Sequence, residues 1–142
     1  MQEIETTYSI GEVAEKFGLS VPTLRYYDKE GLIPNLNKNA AGVRRFTEEN
    51  LSTLQIVECV KNAGMPIKEI KQFIKWTTEG DESLQERFDM FLQLRLSVQE
   101  QMRQLQETLD VINFKCEYYG KATNDGTEKY VKEEMHLDKP KL

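Results

Sequence analysis

Apolar residues from Ile10 onward recur at the three- and four-residue intervals of a helix: Ile10, Val13, Ala14 and Phe17. Ser9 stands in front as an N-cap and Gly18 stands behind as a stop. Ser20 opens a second helix with Val21 and Pro22 in its first turn, where proline is tolerated, and Leu24 and Tyr27 share one face. Two short helices within residues 9–31, joined by Gly-Leu-Ser, make a helix-turn-helix. Residues 35–46, NLNKNAAGVRRF, carry little apolar content and fold back at an Asn/Ala/Gly turn, which predicts a small β-hairpin, or wing. Thr47 caps a third helix over 48–63, with Glu48 and Glu49 in its first turn and Gly64 at its end. Pro66 begins a fourth helix, 66–78, striped by Ile67, Ile70, Phe73 and Ile74 and closed by Gly80.

The longest periodicity follows. Leu84, Phe88, Phe91, Arg95, Val98, Met102, Leu105, Leu109, Ile112, Cys116 and Tyr119 alternate four- and three-residue steps without a slip, and neither Pro nor Gly occurs from Asp81 to Tyr119. This heptad pattern predicts a coiled-coil helix of roughly 54 Å at the standard rise per residue. No second long helix exists in the chain to cover the stripe, so the expected partner is another copy, with Leu84, Phe88, Phe91, Val98, Met102, Leu105, Leu109, Ile112 and Cys116 in the dimer interface. Arg95 is the misfit: its stem snorkels, or it pairs with a carboxylate across the dimer. The expected organisation is a mainly α chain. A winged helix-turn-helix head with a two-helix linker occupies 1–80, a dimerising coiled-coil helix 81–120, and a polar, partly disordered tail 121–142.

Charge refines this picture. The 142-residue chain has a net charge of −5, which alone argues against nucleic acid. The acid is concentrated in residues 76–142, however, while residues 1–75 are balanced at ten basic and ten acidic. Residues 20–47 form a basic island, with Arg25, Lys29, Lys38, Arg44 and Arg45 against Asp28 and Glu30. The stretch TLRYYDKEGLIP places Arg25, Tyr26 and Tyr27 in succession. Successive helical side chains point about 100° apart, so three large neighbours cannot all be buried. In a winged helix-turn-helix the N-terminal part of the second helix enters the major groove. That sets Thr23 and Arg25 near base edges and Tyr26 near phosphate, with Tyr27 partly inward beside Leu24. Lys38, Arg44 and Arg45 on the hairpin are expected to reach the flanking backbone or minor groove. An ordinary solvated basic face with packed tyrosines is the alternative on spacing alone.

The segments YSIGEVAEKFGLSVPTLRYYDKEGLIP, GVRRF and VKNAGMPIKEIKQFI, from Tyr8 to about Phe73, resemble the MerR family of transcriptional regulators. The resemblance implies an antiparallel coiled-coil dimer that binds between promoter elements and distorts the spacer, so that RNA polymerase can use a poorly spaced promoter. It implies that Arg25, Tyr26 and Tyr27 are recognition-helix residues, that Arg44 is the wing arginine of GxRxF, and that Lys61 touches phosphate. An antiparallel rod of this length would hold two heads more than one helical turn of DNA apart. Bridging that gap invites a bend costing on the order of 1–6 kcal/mol.

The trigger is less defined. Metal-sensing relatives carry paired cysteines at the end of the coil, whereas Cys116 has no downstream cysteine and the single histidine is His136 in the tail. One thiolate does not make a soft-metal site, so no metal or other cofactor is expected, and Cys116 reads as a packed small hydrophobe. Drug-sensing relatives append a binding domain for which residues 120–142 are too few. Cys59, beside Ile56 and Ala63 on the third helix, is either a buried structural thiol or an electrophile sensor, as its position before NAG is similar to the aldehyde- and thiol-stress-responsive branch. The rival function is a coiled-coil adaptor without an inducer. No catalytic constellation or phosphate-cradling glycine loop is present, so no enzyme is expected. The opening MQEIETTYSI lacks the pattern of a signal peptide and no span approaches about 20 apolar residues, which points to a cytoplasmic chain away from membranes.

Overall fold

The computed structural model describes residues 5–135. The chain divides into two compact units, residues 1–95 and 96–142.

In the first unit, helix α1 (Ile10–Phe17) begins at Ser9, whose Oγ accepts the Glu12 amide while the Glu12 carboxylate accepts the Ser9 amide. This reciprocal capping box satisfies two donors that a helix start otherwise leaves unpaired. Gly18 closes the helix in the left-handed region, at φ 65°, where a side chain would be strained. Helix α2 (Val21–Lys29) starts at Ser20, whose Oγ accepts the Thr23 amide. Helix α3 (Glu48–Asn62) starts at Thr47, again with a capping box, here completed by Asn50. Helix α4 (Ile67–Thr78) follows Pro66. All four helices and their caps agree with the sequence reading to within a residue or two.

The wing is larger than expected. Strands β2 (Asn37–Lys38) and β3 (Arg44–Thr47) form the predicted hairpin, with Lys38 opposite Arg44 and Asn37 opposite Arg45. Its turn is held by Asn39, whose side-chain oxygen accepts the amides of Ala41 and Val43. A third strand that the sequence reading omitted, β1 (Thr7–Tyr8), pairs antiparallel on the other edge of β3, giving the order β1-β3-β2. The sheet thereby ties the segment before α1 to the residues that launch α3.

These elements close over one core. Leu24, Tyr27, Leu32, Phe46, Leu54, Val57, Val60 and Ile70 are essentially inaccessible. Each aliphatic side chain of this kind contributes about 1.5–3 kcal/mol on burial. Met90 and Leu94, early in the long helix α5 (Leu84–Asp125), pack on the same core, and Phe91 meets Phe73 edge-on with ring centroids 5.1 Å apart. A short 3-10 turn at Asp81–Ser83 leads into α5.

In the second unit α5 runs on through Gly120, so the helix is longer than the 81–120 segment read from the sequence and the tail begins later. Helix α6 (Lys129–Glu134) folds back so that Val131 packs with Tyr118 and Ala122. The Tyr118 hydroxyl donates to Glu128 at 2.9 Å, and Lys121 pairs with Glu134 at 3.0 Å. Tyr118 and Ala122 thus face α6, while the heptad stripe between them and the head stays open. Met102, Leu105, Leu109 and Ile112 are between 46% and 69% exposed, and Leu96 and Val111 off the stripe are also exposed. Cys116 is exposed in the single chain, Val98 is half-buried, and Arg95 is exposed without an ion pair among the described residues. His136 lies outside the described residues.

Candidate nucleic-acid interface

Helix α2 sorts its residues by periodicity. Leu24 and Tyr27 turn into the core, and the intervening Arg25 and Tyr26 turn out, Tyr26 being 46% exposed. Thr23 is half-buried, with its hydroxyl 2.8 Å from Ser20 Oγ at the helix start. The outward face of α2 therefore offers a guanidinium and a phenol side by side. An arginine can donate two parallel bonds to guanine, and a tyrosine hydroxyl can donate to a phosphate oxygen.

Tyr27 requires a correction. The sequence reading counted it among the DNA-binding residues, but it is 1% exposed and its ring belongs to the core. Its hydroxyl donates to Glu58 Oε1 at 2.7 Å and accepts from Lys61 Nζ at 2.7 Å. Burial, together with the hydrogen bond to Glu58, raises the Tyr27 pKa above its ordinary value, because both favour the neutral phenol. The bond to the Tyr27 hydroxyl raises the Lys61 pKa in turn. Lys61, expected at a phosphate, is here engaged by Tyr27, with its ammonium also 5.4 Å from the ring centroid.

The three wing cations split between the two faces of the hairpin: Arg44 and Arg45 alternate along β3, and Lys38 on β2 is the cross-strand partner of Arg44. Arg44 donates through Nε to Asp28 Oδ2 at 2.8 Å, and Lys38 reaches the same oxygen at 3.4 Å. Arg45 points the other way and donates to the Thr7 hydroxyl and carbonyl. Arg44 and Lys38 thus lie beside α2, whereas Arg45 ties β3 to β1. Asp28 entered the sequence reading only as a negative charge, and nothing in local spacing shows that a residue of α2 faces a strand sixteen positions on. Asn50, also unremarked there, is 1% exposed and donates through Nδ2 to the Pro34 carbonyl at 3.2 Å.

Cys59 is a second correction to the buried alternative: it is exposed, as is its neighbour Ile56. Ile56 and Cys59 lie on the outer side of α3, while Val57 and Val60 take the core.

A family model described as MerR HTH family regulatory protein matches residues 8–75, and one described as MerR, DNA binding matches residues 51–113. An uncharacterized HTH-type transcriptional regulator of Haemophilus influenzae is 42% identical over 125 residues, covering 88% of this chain and 93% of that protein. The chain belongs to the MerR family of transcriptional regulators. Among solved structures, it resembles HiNmlR, a MerR family regulator lacking the sensor domain and bound to promoter DNA. The TM-score is 0.80 at 41% identity, over 88% of this chain and 99% of that one. A MerR family regulator from Bacillus thuringiensis superimposes with a TM-score of 0.70 at 41% identity, covering 78% of this chain and 96% of that one. The match to the MerR models runs from the helix-turn-helix into the long helix, so the family assignment rests on head and helix together. No helix of the described residues is long and apolar enough to cross a membrane.

Proposed function

We propose that two copies of this MerR family regulator join along α5 as an antiparallel coiled coil, bind a pseudo-palindromic promoter site and distort its spacer, so that RNA polymerase initiates differently there. The reading places the protein in the cytoplasm. The observation that carries it is the likeness to HiNmlR, solved on promoter DNA, across nearly the whole of that chain. The open stripe from Met102 to Ile112 supports the dimer, because apolar area on this scale is covered in a stable protein. Arg25 and Tyr26 on α2 and Lys38 and Arg44 on the wing are the proposed contacts. The core position of Tyr27 makes it a support for α2.

The test is binding to promoter duplexes over a salt series. A regulator that neutralises several phosphates loses affinity with a log–log slope of about −0.9 per phosphate. A coiled-coil adaptor shows no such slope.

The regulatory signal in this reading is electrophile adduction at Cys59, supported by the exposure of that thiol on α3. Reporter induction by an aldehyde or diamide, compared between the wild type and Cys59→Ser, tests it.

A further inference from the structure

Asp28 stands on the same helix as the proposed base-reading residues, yet its carboxylate faces the wing. It is 16% exposed, and a single oxygen, Oδ2, takes both Arg44 Nε and Lys38 Nζ. Arg44 and Lys38 are cross-strand partners in the register of β2 and β3, so one carboxylate grips both arms of the hairpin. The bond to Arg44 runs through Nε alone, and the Arg44 side chain makes no other hydrogen bond or ion pair among the described residues. A guanidinium held at Nε keeps its two terminal amines in one plane, aimed away from its holder, and those amines match a phosphate in a fork geometry.

Resting on the DNA-binding reading above, we propose that Asp28 is a positioning residue for specific binding. It fixes the wing against α2 and orients the terminal amines of Arg44 toward a backbone phosphate while Arg25 meets the bases and Tyr26 a phosphate. β3 is anchored by β1 and by Phe46 in the core, but the outer strand β2 is only two residues long and exposed, and the pair with Asp28 adds a tie to α2 that its short ladder to β3 lacks. Asp28 is three residues beyond Arg25 on α2, about one turn away, so wing and base contacts share one rigid element. Phosphate contacts set register and base contacts read sequence, and Asp28 couples the two. Removing it adds net positive charge to the face, which by simple attraction tightens binding to any duplex. A positioning role gives the opposite sign for the selected site.

The experiment uses the full chain and two duplexes: the tightest sequence recovered by in vitro selection from a random library, and a scrambled duplex of the same composition. Binding of the selected duplex by the wild type, and its loss in Arg25→Ala, tests the regulator reading itself. Asp28→Ala is expected to weaken the selected duplex about ten- to hundredfold, as loss of an orienting charge-assisted bond does. Its affinity for the scrambled duplex is expected to hold or rise, and its salt slope on the selected duplex to become shallower by about 0.9, the equivalent of one phosphate. Asp28→Asn, which keeps an acceptor oxygen, is expected to fall between. In the cycle with Arg44→Ala, the double variant is expected to bind the selected duplex at least about fivefold better than the product of the single losses. Thermal melting and circular dichroism of each variant verify the fold. Should Asp28→Ala misfold, the Asp28→Asn cycle decides. Equal tightening on both duplexes, an unchanged or steeper slope, or additive losses with Arg44 would overturn the proposal while leaving the regulator reading standing.

Discussion

The Tyr27 hydroxyl and the Lys61 ammonium lie 2.7 Å apart, joining helix α2 to the C-terminal turn of α3. Glu58 completes the bridge by accepting from the same hydroxyl. The phenol is thus both the largest side chain of the core and its polar link to the helix behind. Tyr27→Phe keeps the ring and deletes the link. It is expected to lower the unfolding free energy by about 1.5–3 kcal/mol, since the hydroxyl bonds two charged groups. Tyr27→Ala empties the site and is expected to cost about 3–5 kcal/mol. Urea unfolding followed by circular dichroism separates the two.

The same bridge sets an alkaline limit. Tyr27 and Lys61 both have folded-state pKa values raised above their ordinary values of 10.0 and 10.5. For a raised pKa, the stabilisation is fully present below the unfolded-state value and is lost as pH rises through the folded-state value. The urea midpoint is therefore expected to change little from this pair between pH 7 and 9 and to fall above about pH 10. Tyr27→Phe should flatten that fall. An equally steep decline in Tyr27→Phe would assign the alkaline loss to other groups.

Asn50 closes the start of α3 and reaches back to the loop after α2. Its side-chain oxygen accepts the Thr47 amide at 2.8 Å, and its amide donates to the Pro34 carbonyl at 3.2 Å. Asn50→Ala leaves the buried Thr47 amide and the part-buried Pro34 carbonyl without these partners and is expected to destabilise the head by about 1–3 kcal/mol. Asn50→Asp keeps the acceptor for Thr47 but sets a carboxylate against the Pro34 carbonyl, and it should not restore stability. Thermal melts of the two variants check this.

The exposed stripe of α5 separates folding from assembly. Leu105 is 69% exposed in the single chain, so Leu105→Glu should leave the head intact. A charge there opposes burial against a second helix, and the variant is expected to sediment as a monomer at concentrations where the wild type sediments as a dimer. Antiparallel packing centred near Met102 would set the two Cys116 thiols roughly 40 Å apart by the helical rise. Oxidation should then yield no Cys116 cross-link within the dimer, and an efficient cross-link would mark a parallel coil.

Cys59 carries the proposed signal. Cys59→Ser changes one exposed atom and is expected to leave promoter binding within about twofold of the wild type, since surface substitutions usually act weakly. Induction by diamide or an aldehyde in a reporter strain should be lost. Full induction in Cys59→Ser would remove this thiol from the mechanism.

Most of the head was legible because its signals are local. Ser9, Ser20 and Thr47 each precede an apolar stripe, and each caps a helix. Gly18 sits at positive φ where the first helix stops. The residues misread or missed depend on contacts distant in sequence. Strand β1 is two residues long and exists only because β3, some forty positions later, lies beside it. The inward turn of Tyr27 was legible from its spacing to Leu24, but its hydroxyl's partners, Glu58 and Lys61, were not, nor were Asp28 and Thr7 as partners of Arg44 and Arg45. Gly120 read as a helix end because glycine costs about 1 kcal/mol relative to alanine inside a helix. Burial of Tyr118, Ala122 and Val131 against one another accompanies its helical conformation. Cys59 looked inward beside Ile56, but the core takes Val57 and Val60 instead, which turns both residues out.

The most direct test of the regulator as a paired-head DNA binder is native mass spectrometry of the full chain with its selected promoter duplex. The expected complex is two protomers on one duplex, lost in Leu105→Glu and in Arg25→Ala for different reasons, the first by monomerisation and the second by loss of sequence reading. A single protomer bound to the duplex, or a dimer that leaves the duplex free at low salt, would contradict the account.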